Sequence, residues 1–551
     1  MYPKFTNLLS LFLLLIAPFS LVNAQQLDWA DQLSGTGHVY TYGLATDPAG
    51  DIYVSGMFAA TTDFDPGPGT TNLTPSGSQD LFLAKYAATG ALAWVKQIGG
   101  SALTKGNDIV LDAAGNLYLT GEFASATDFD PGAGTQSHTP SGGSDAFVLK
   151  LDAAGDFVWV YPFGSPDGDD NSLSLDLDGS GNVYAGGMYN LQQNGTSEGF
   201  VLKLSPAGAQ QWLVNFGDSG LDFVSEIAVS ASGETFLTGH LRGPSNLAAM
   251  PLDGGTAGDV LFAVMDPQGV FTRADLFGGT GSDRGYGIHL DAQENAFVTG
   301  YFEDQVTFIP GLPEGTITSF GSRDAFLFRA ETGGALNWVR QFGGAEADGG
   351  RSVDVDASGN IYVGGTFMGL ADFDPLPGSF TLQAPGNATP DAFVTKLDPM
   401  GHFIWAAGLG GGSEESLERV RCHADGDVLA IGAFAGTADF DPQAGTVNFV
   451  SAGMNDGYLV KLEDGMVNAA ESLSESRMAV GPNPFSETLT VKGVQRGGTL
   501  RLYNAMGQVV LTRKIDGQNQ LRIDVPTGAT GMYLLEFESG NERFRKRLIR
   551  Q

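Results

Sequence analysis

The stretch Asp112–Phe123 recurs in seven versions along the chain, and this repetition constrains the fold more than any other feature of the sequence. Each version has the sequence of a tight turn, followed by a strand sequence that ends in glycine, any residue and usually an aromatic residue. The seven versions begin at Asp47, Asp112, Asp178, Ser230, Asp291, Asp356 and His423. A unit that recurs at this length predicts a repeat architecture, in which neighbouring units bury one another's apolar surface.

Two further landmarks recur with the turn. The first is a strand with a tryptophan, found at Trp29, Trp94, Trp159, Trp212, Trp338 and Trp405, with Arg273 in the equivalent place of the fifth copy. The second is an acidic residue that begins an apolar strand, at Asp80, Asp145, Glu198, Asp259, Asp324, Asp391 and Asp456. The distance between the turn and the acidic residue varies from copy to copy, whereas the other spacings are nearly constant. Insertions are tolerated in solvent, so this one variable loop of each repeat should lie outside the core.

Each repeat contains four strand signals, which in the second copy lie near residues 108–112, 116–123, 145–151 and 157–163. Asp145–Leu151 is apolar on both faces, as expected for a strand between packed sheets. No tryptophan strand follows Asp456, but a surplus one surrounds Trp29. We therefore predict an all-β fold, a seven-bladed β-propeller closed by the N-terminal strand 27–33. An open solenoid is the alternative, although it would leave the matched missing and surplus strands unexplained.

The turn sequence and the Asp-Ala-Phe-Val-x-Lys-Leu strand resemble the bacterial β-propeller repeats known as SBBP repeats, and the propeller is assigned to residues 25–463. Residues 464–477 lack periodicity and are predicted to be a linker. Residues 478–551 resemble the type A C-terminal sorting domain of the type IX secretion system of Bacteroidetes. The residues that carry this resemblance are Pro482, Asn483, Pro484, Phe485, Tyr503, Gly507, Gly531 and Tyr533. The resemblance implies a small Ig-like β-sandwich that the outer-membrane translocon recognises; an ordinary adhesive sandwich is the alternative.

The N-terminus predicts export. Lys4 precedes an apolar run from Leu8 to Val22, and Ala24 ends a small-residue cleavage sequence, so residues 1–24 are predicted to be a signal peptide rather than a membrane anchor. No later run of about 20 apolar residues predicts a transmembrane segment in the mature chain. We therefore expect a secreted or cell-surface protein. The formal net charge of −34 excludes nucleic acid as a partner, because so acidic a body repels phosphate.

An acidic motif lies in the variable loop of four repeats. It is Asp-Phe-Asp-Pro, with its carboxylates at Asp63 and Asp65, Asp128 and Asp130, Asp372 and Asp374, and Asp439 and Asp441. Carboxylates at this spacing can offer oxygens to Ca²⁺, but a calcium site needs six to eight ligands. The alternative is that the aspartates shape a turn while the phenylalanine packs on its blade. No cofactor is firmly predicted, and Ca²⁺ is the one candidate.

Motifs for catalysis are sparse in the sequence, and no catalytic residue is assigned. His289, Arg351, Arg419 and Arg421 lie on innermost strands and are candidates to line the axial channel. The leading hypothesis is a binding or adhesion module for a glycan or protein, with the face that bears the long loops as its binding face. A hydrolase or lyase sited in the channel and a purely structural surface component are the alternatives.

Overall fold

The computed structural model describes residues 25–217, 220–247, 250–386, 389–443 and 445–463. In the C-terminal segment it describes residues 479–481, 488–492, 498–504, 509–515, 520–525, 531–539 and 542–550. The chain divides into two compact units, of which one spans residues 25–465 and the other contains residues 466–551.

The first unit is a seven-bladed β-propeller, and each blade is an antiparallel sheet of four strands numbered outward from the axis. Blades one to three are formed by Val39–Thr46, Ile52–Phe58, Asp80–Tyr86 and Leu92–Gly100; by Thr104–Leu111, Leu117–Phe123, Asp145–Leu151 and Phe157–Phe163; and by Asp169–Leu177, Val183–Leu191, Glu198–Leu204 and Gln210–Phe216. Blades four and five are formed by Phe223–Val229, Thr235–Leu241, Asp259–Met265 and Phe271–Phe277, and by Arg284–Leu290, Ala296–Thr307, Thr316–Ala330 and Leu336–Gly344. Blade six is formed by Gly349–Val355, Ile361–Phe367, Asp391–Leu397 and Phe403–Gly411, and the first three strands of blade seven are Glu415–Cys422, Val428–Phe434 and Asp456–Glu463.

The N-terminal strand Gln26–Gly35 completes blade seven. It runs antiparallel to Asp456–Glu463, with Trp29 opposite Lys461 and Leu33 opposite Gly457. The strand thereby covers the edge of blade seven that would otherwise be exposed, and the ring closes between the two ends of the propeller sequence. The predicted closure is confirmed.

The hydrophobic core is divided among the junctions between blades. At the junction of blades seven and one, for example, Leu429 and Ile431 pack in one cluster with Leu44 and Phe82. The third strand of each blade is buried on both faces, as predicted for Asp145–Leu151. Each blade is thus stabilised mainly by contact with its two neighbours.

The short turn between the first and second strands is built by its aspartate. In blade two, Asp112 Oδ1 accepts the backbone N–H groups of Ala114 at 2.9 Å and Asn116 at 3.0 Å. Gly115 then takes a φ of 81°, in the left-handed region that glycine adopts without a steric penalty. In blade five the same position is occupied by Glu294 at a φ of 59°, which is a strained conformation for a side chain with a Cβ atom.

The loops between the second and third strands emerge on the opposite face from these short turns. They contain short hairpins at Thr62–Asp63 and Asn72–Leu73, Thr127–Asp128 and Ser137–His138, Pro244–Leu247 and Met250–Asp253, Leu370–Asp372 and Thr381–Gln383, and Thr437–Asp439 and Asn448–Val450. Blade five instead extends its own second and third strands and adds a single 3₁₀ turn, Pro313–Gly315. We call the side of the propeller that bears these loops the long-loop face.

The C-terminal unit consists of two antiparallel sheets. Three strands form one sheet and four form the other: Ala479–Gly481, Thr488–Lys492 and Gln520–Asp524, and then Gly498–Asn504, Val509–Ile515, Gly531–Ser539 and Glu542–Arg550. Leu489 and Ile523 are buried in the first sheet, and Leu500, Leu502 and Leu535 in the second. The described strands of this unit are all β, and the Ig-like sandwich stays a prediction. Across the part of the chain that the structure describes, no helix has the length and apolar character needed to cross a membrane.

Candidate functional site

The innermost strand of every blade carries a β-bulge at the same position. In blade one, for example, Thr41 pairs with Gly56 and Gly43 pairs with Ser55, which leaves Tyr42 as an extra residue without a partner on the second strand. The seven bulged residues are Tyr42, Asn107, Leu173, Ser225, Tyr286, Arg351 and Glu418. A bulge bends its strand and redirects the extra side chain, and bulges are common next to functional sites.

All seven bulged residues line one cavity of about 130 Å³ on the propeller axis, the axial cavity. Lys105, Phe223 and Arg419 complete its wall. Lys105 and Phe223 are at or next to the beginning of their strands, and the innermost strands begin on the long-loop face. The axial cavity therefore lies in the half of the channel that is nearer to the long-loop face.

Charged and aromatic side chains in the wall are packed in pairs. Arg351 Nε donates a hydrogen bond to Glu418 Oε2 at 2.9 Å, and the guanidinium lies 4.5 Å from the centre of the Tyr286 ring. The Glu418 carboxylate raises the pKa of Arg351 above its ordinary value, although burial opposes the shift. Lys105 Nζ lies 3.3 Å from Glu122 Oε1 and 5.1 Å from the centre of the Tyr42 ring. These contacts hold the cationic groups at the rim of the cavity.

Carboxylates below the cavity tie neighbouring innermost strands together. Asp108 accepts the backbone N–H of Leu175 at 3.0 Å, and Glu226 accepts that of Ile288 at 3.0 Å. Burial raises the pKa of Glu226, and the neighbouring Arg419 partly offsets this effect. The deeper part of the channel is thus filled by side chains that stabilise the ring.

The structure separates the four channel candidates into two layers. Arg351 and Arg419 lie in the wall of the axial cavity. His289 lies deeper, with Nδ1 3.0 Å from Asp354 Oδ1. Burial disfavours ionisation of Asp354, but His289 and Arg421 together hold its pKa at about 2. His289 and Arg421 are therefore partners of a buried carboxylate rather than parts of the cavity wall.

The other wall residues were missed by the reasoning from motifs. Tyr42, Asn107, Ser225, Tyr286 and Glu418 have no shared chemistry that a motif search could detect. Each of them, however, stands five residues before the residue that begins the short turn of its repeat, as Tyr42 stands before Asp47. An alignment of the seven repeats on that turn would have placed all seven bulged residues in one column.

The Asp-Phe-Asp-Pro loops lie between neighbouring blades. The hairpin that begins with Thr127–Asp128 pairs with Gly99 and Gly100, at the end of the outermost strand of blade one. The loops of blades one, six and seven pair with the preceding blade in the same way. A methyl group on Gly344 would come within 2.0 Å of the Leu370 carbonyl oxygen, so this close pairing requires glycine. The loop that carries the motif thus links consecutive blades by antiparallel strand pairing.

The aspartates of the motif shape the loop. Asp128 Oδ1 accepts the backbone N–H groups of Asp130 at 3.1 Å and Gln136 at 2.7 Å. Asp130 Oδ1 in turn accepts the N–H of Gly132 at 2.8 Å. The same hydrogen bonds recur from Asp63 and Asp65, from Asp372 and Asp374, and from Asp439 and Asp441.

The phenylalanine of the motif is buried in its own blade. Phe129, for instance, has its ring centre 5.0 Å from that of Phe147. Within the described ranges, no group of three or more histidine, cysteine, aspartate or glutamate side chains is placed to hold a metal ion. These contacts favour the turn interpretation of the motif, and the calcium site stays a prediction.

The sorting-motif residues belong to the C-terminal unit. Tyr503 lies in the strand Gly498–Asn504, and Gly531 and Tyr533 lie in Gly531–Ser539. Pro482, Asn483, Pro484, Phe485 and Gly507 lie outside the described residues, as do the predicted signal peptide 1–24 and linker 464–477.

Comparison with protein families identifies both parts of the chain. A secretion system C-terminal sorting domain matches residues 479–551, and a β-propeller repeat of the SBBP type matches residues 93–122 and 337–366. The chain is therefore a secreted protein whose propeller contains SBBP repeats at these two segments. Its type IX sorting domain is handled by the secretion machinery, which delivers the protein to the cell surface or beyond.

Similarity to individual proteins is low. An uncharacterized WD repeat-containing protein, L264, of Acanthamoeba polyphaga mimivirus is 20% identical over 63% of this chain and 31% of its own length. The regulatory protein FlaEY of Caulobacter vibrioides is 24% identical over 39% of this chain and 25% of its own length. The chain thus spans about a third or less of these relatives. Among solved structures, PorZ, a surface component of the type IX secretion system of Porphyromonas gingivalis, is 10% identical with a TM-score of 0.31, covering 94% of this chain and 75% of PorZ.

Proposed function

We propose that this secreted propeller is a binding module that takes up a glycan or protein ligand on its long-loop face. The observation that carries the proposal is the axial cavity, to which every blade contributes its bulged residue. Small ligands bind preferentially in concave sites where several elements converge, and a closed ring offers such a site on its axis. Because the seven repeats have different residues at the bulged position, the cavity wall contains aromatic, polar and charged side chains instead of seven copies of one residue.

Features around the axial cavity support this proposal. Tyrosine, arginine and asparagine side chains at its wall are residue types that bind polar ligands through aromatic contact and hydrogen bonds. The loops that vary most in length surround the same end of the channel, and binding residues are concentrated on loops that a rigid scaffold positions. The short-turn face, by contrast, presents turns whose aspartates are occupied by backbone N–H groups, as in Asp112.

The experiment is a screen of the secreted protein against glycans and proteins, with and without Ca²⁺. Any ligand that binds is then tested against Tyr286→Ala, in the cavity wall, and against Ala114→Arg, a matched control in an exposed short turn. Weaker binding by Tyr286→Ala alone supports the proposal. Loss of binding by Ala114→Arg, with Tyr286→Ala unaffected, would place the ligand on the other face and refute it. A requirement for Ca²⁺ would support the calcium prediction for the Asp-Phe-Asp-Pro loops.

A further inference from the structure

Two buried polar atoms in the wall of the axial cavity, Ser225 Oγ and Arg419 Nε, find no hydrogen-bond partner among the residues that the structure describes. Both side chains belong to residues that are only 8% exposed. A buried polar group without a partner costs about 1–3 kcal/mol, so such groups in native proteins usually mark a bound molecule or another special role. The arginine Nε–H can only donate, and the serine hydroxyl can donate as well. Arg419 Nε therefore lacks an acceptor, and an acceptor would also satisfy the Ser225 hydroxyl.

The charge of the wall indicates which acceptor fits. Three cationic side chains, Lys105, Arg351 and Arg419, lie in the wall together with one carboxylate, Glu418. A guanidinium has five N–H donors, and the contact between Arg351 and Glu418 uses only part of that capacity. Charged N–H donors make stronger hydrogen bonds to an anionic oxygen than to a neutral one. An anionic oxygen ligand is favoured over a neutral one in such surroundings.

Carboxylates near the wall balance the charge of these cations. Glu122 lies 3.3 Å from Lys105, and Glu226 lies 3.9 Å from Arg419 Nη2. Burial raises the pKa of Glu226, and Arg419 partly offsets this effect. The wall and its immediate neighbours thus hold three cations and three carboxylates, so the unused N–H donors, not a net positive charge, favour an anionic acceptor.

The size of the cavity limits the ligand. The volume of about 130 Å³ is several times what a single water molecule needs. A carboxylate with the carbon atoms next to it fits that space, and a larger remainder would extend along the axis toward the long-loop face. Tyr42 and Tyr286 lie in the wall, where they can contact such a ligand.

We propose that the axial cavity binds the carboxylate group of a small acidic ligand, with Arg419 and Ser225 as hydrogen-bond donors and Arg351 and Lys105 as further positive charge. This inference rests on the proposed function, because it names the ligand chemistry of the same binding face. The carboxylate can belong to an acidic sugar or to a free small carboxylic acid, and the experiment separates these two sources.

Titration calorimetry of the full-length protein with glucuronate, glucose and lactate tests the proposal. We expect glucuronate to bind at least about tenfold more tightly than glucose, as one charge-assisted hydrogen bond accounts for such a factor. Weak binding of lactate would identify an acidic sugar, and equally tight binding of lactate a free acid. Equal affinity for glucuronate and glucose, or binding of neither glucuronate nor lactate, would overturn the inference.

Two variants locate the binding. Ser225→Ala removes one unpartnered donor, so it should bind the acid about threefold to tenfold more weakly without loss of thermal stability. Ser55→Ala is its matched control, since Ser55 Oγ is also buried and without a hydrogen bond within the described chain but is not in the cavity wall. Arg419→Lys keeps a positive charge near Glu226, which protects the fold, but removes the Nε donor.

Unchanged affinity in both Ser225→Ala and Arg419→Lys would overturn the inference. A neutral ligand found in the screen that Tyr286→Ala weakens, but that these two variants bind normally, would also overturn it while leaving the proposed function intact. Failure of the two proposals is therefore distinguishable.

Discussion

Replacement of Asp128 by alanine tests what the Asp-Phe-Asp-Pro loops do. Asp128 Oδ1 accepts two backbone N–H groups, from Asp130 and Gln136, and the side chain is half-buried. Each hydrogen bond to a half-buried carboxylate contributes about 1 kcal/mol to stability. Because Asp128→Ala removes two of them, it should lower the free energy of unfolding by about 2 kcal/mol. The propeller has about 440 residues, for which the entropy of unfolding is about 0.9 kcal/mol per degree, so the expected decrease in Tm is about 2 °C.

Asp128→Asn separates the turn from a calcium site. The asparagine amide oxygen can still accept both N–H groups, so we expect this variant to lose less than about 1 kcal/mol. A calcium site would instead lose a charged ligand in both variants. Asp130→Ala is a graded control, because Asp130 Oδ1 accepts one N–H group, from Gly132. Calorimetric Tm values with EDTA and with Ca²⁺ decide between these accounts. Equal destabilisation by Asp128→Asn and Asp128→Ala, together with a decrease in Tm on adding EDTA to the wild type alone, would refute the turn reasoning.

Three further predictions concern the stability of the propeller. Trp405→Ala should lower the free energy of unfolding by about 3–5 kcal/mol, because the Trp405 ring is 3% exposed and packs on Tyr362. Trp159→Ala should lower it less in the same denaturant titration, because Trp159 is only half-buried. Tm should increase as the pH falls from about 8 to 5, because burial raises the pKa values of Asp283 and Asp348 to about 7. In this range the folded state binds protons that the unfolded state releases above about pH 4, which stabilises the folded state. Asp348→Asn should make Tm depend less steeply on pH, and a wild-type Tm that is independent of pH would contradict the prediction. Glu294→Gly should raise the free energy of unfolding by about 0.5–1 kcal/mol, since it relieves the strained φ at some cost in chain entropy, and an unchanged denaturation midpoint would argue against strain there.

Much of the fold could be predicted because the repeat fixes it locally. The turn aspartates and the tryptophan strands are recognised from short stretches of sequence, and the surplus strand around Trp29 is found by counting strands per repeat. The structure confirms the seven blades and the closure by Gln26–Gly35. The export assignment likewise rests on short motifs that a receptor recognises. Such features survive in a single sequence because each depends on a few neighbouring residues.

The boundaries of the innermost strands were less predictable. The first strand of blade two was expected near residues 108–112, whereas it spans Thr104–Leu111. The bulge at Asn107 breaks the alternation of side chains on which strand prediction depends, so the residues before the bulge lose their strand signal.

The axial cavity was decided by tertiary structure alone. Its wall takes one bulged residue from each blade, and Tyr42 and Glu418 are near opposite ends of the propeller sequence although the closed ring brings them to one cavity. The sequence by itself determined the number of blades, the turns and the export tag, because those follow from periodicity and local motifs. Only the closure of the ring decided which of the dispersed polar side chains come together and which, among the described residues, lack a hydrogen-bond partner. The closure decides this because it sets the distances between residues hundreds of positions apart.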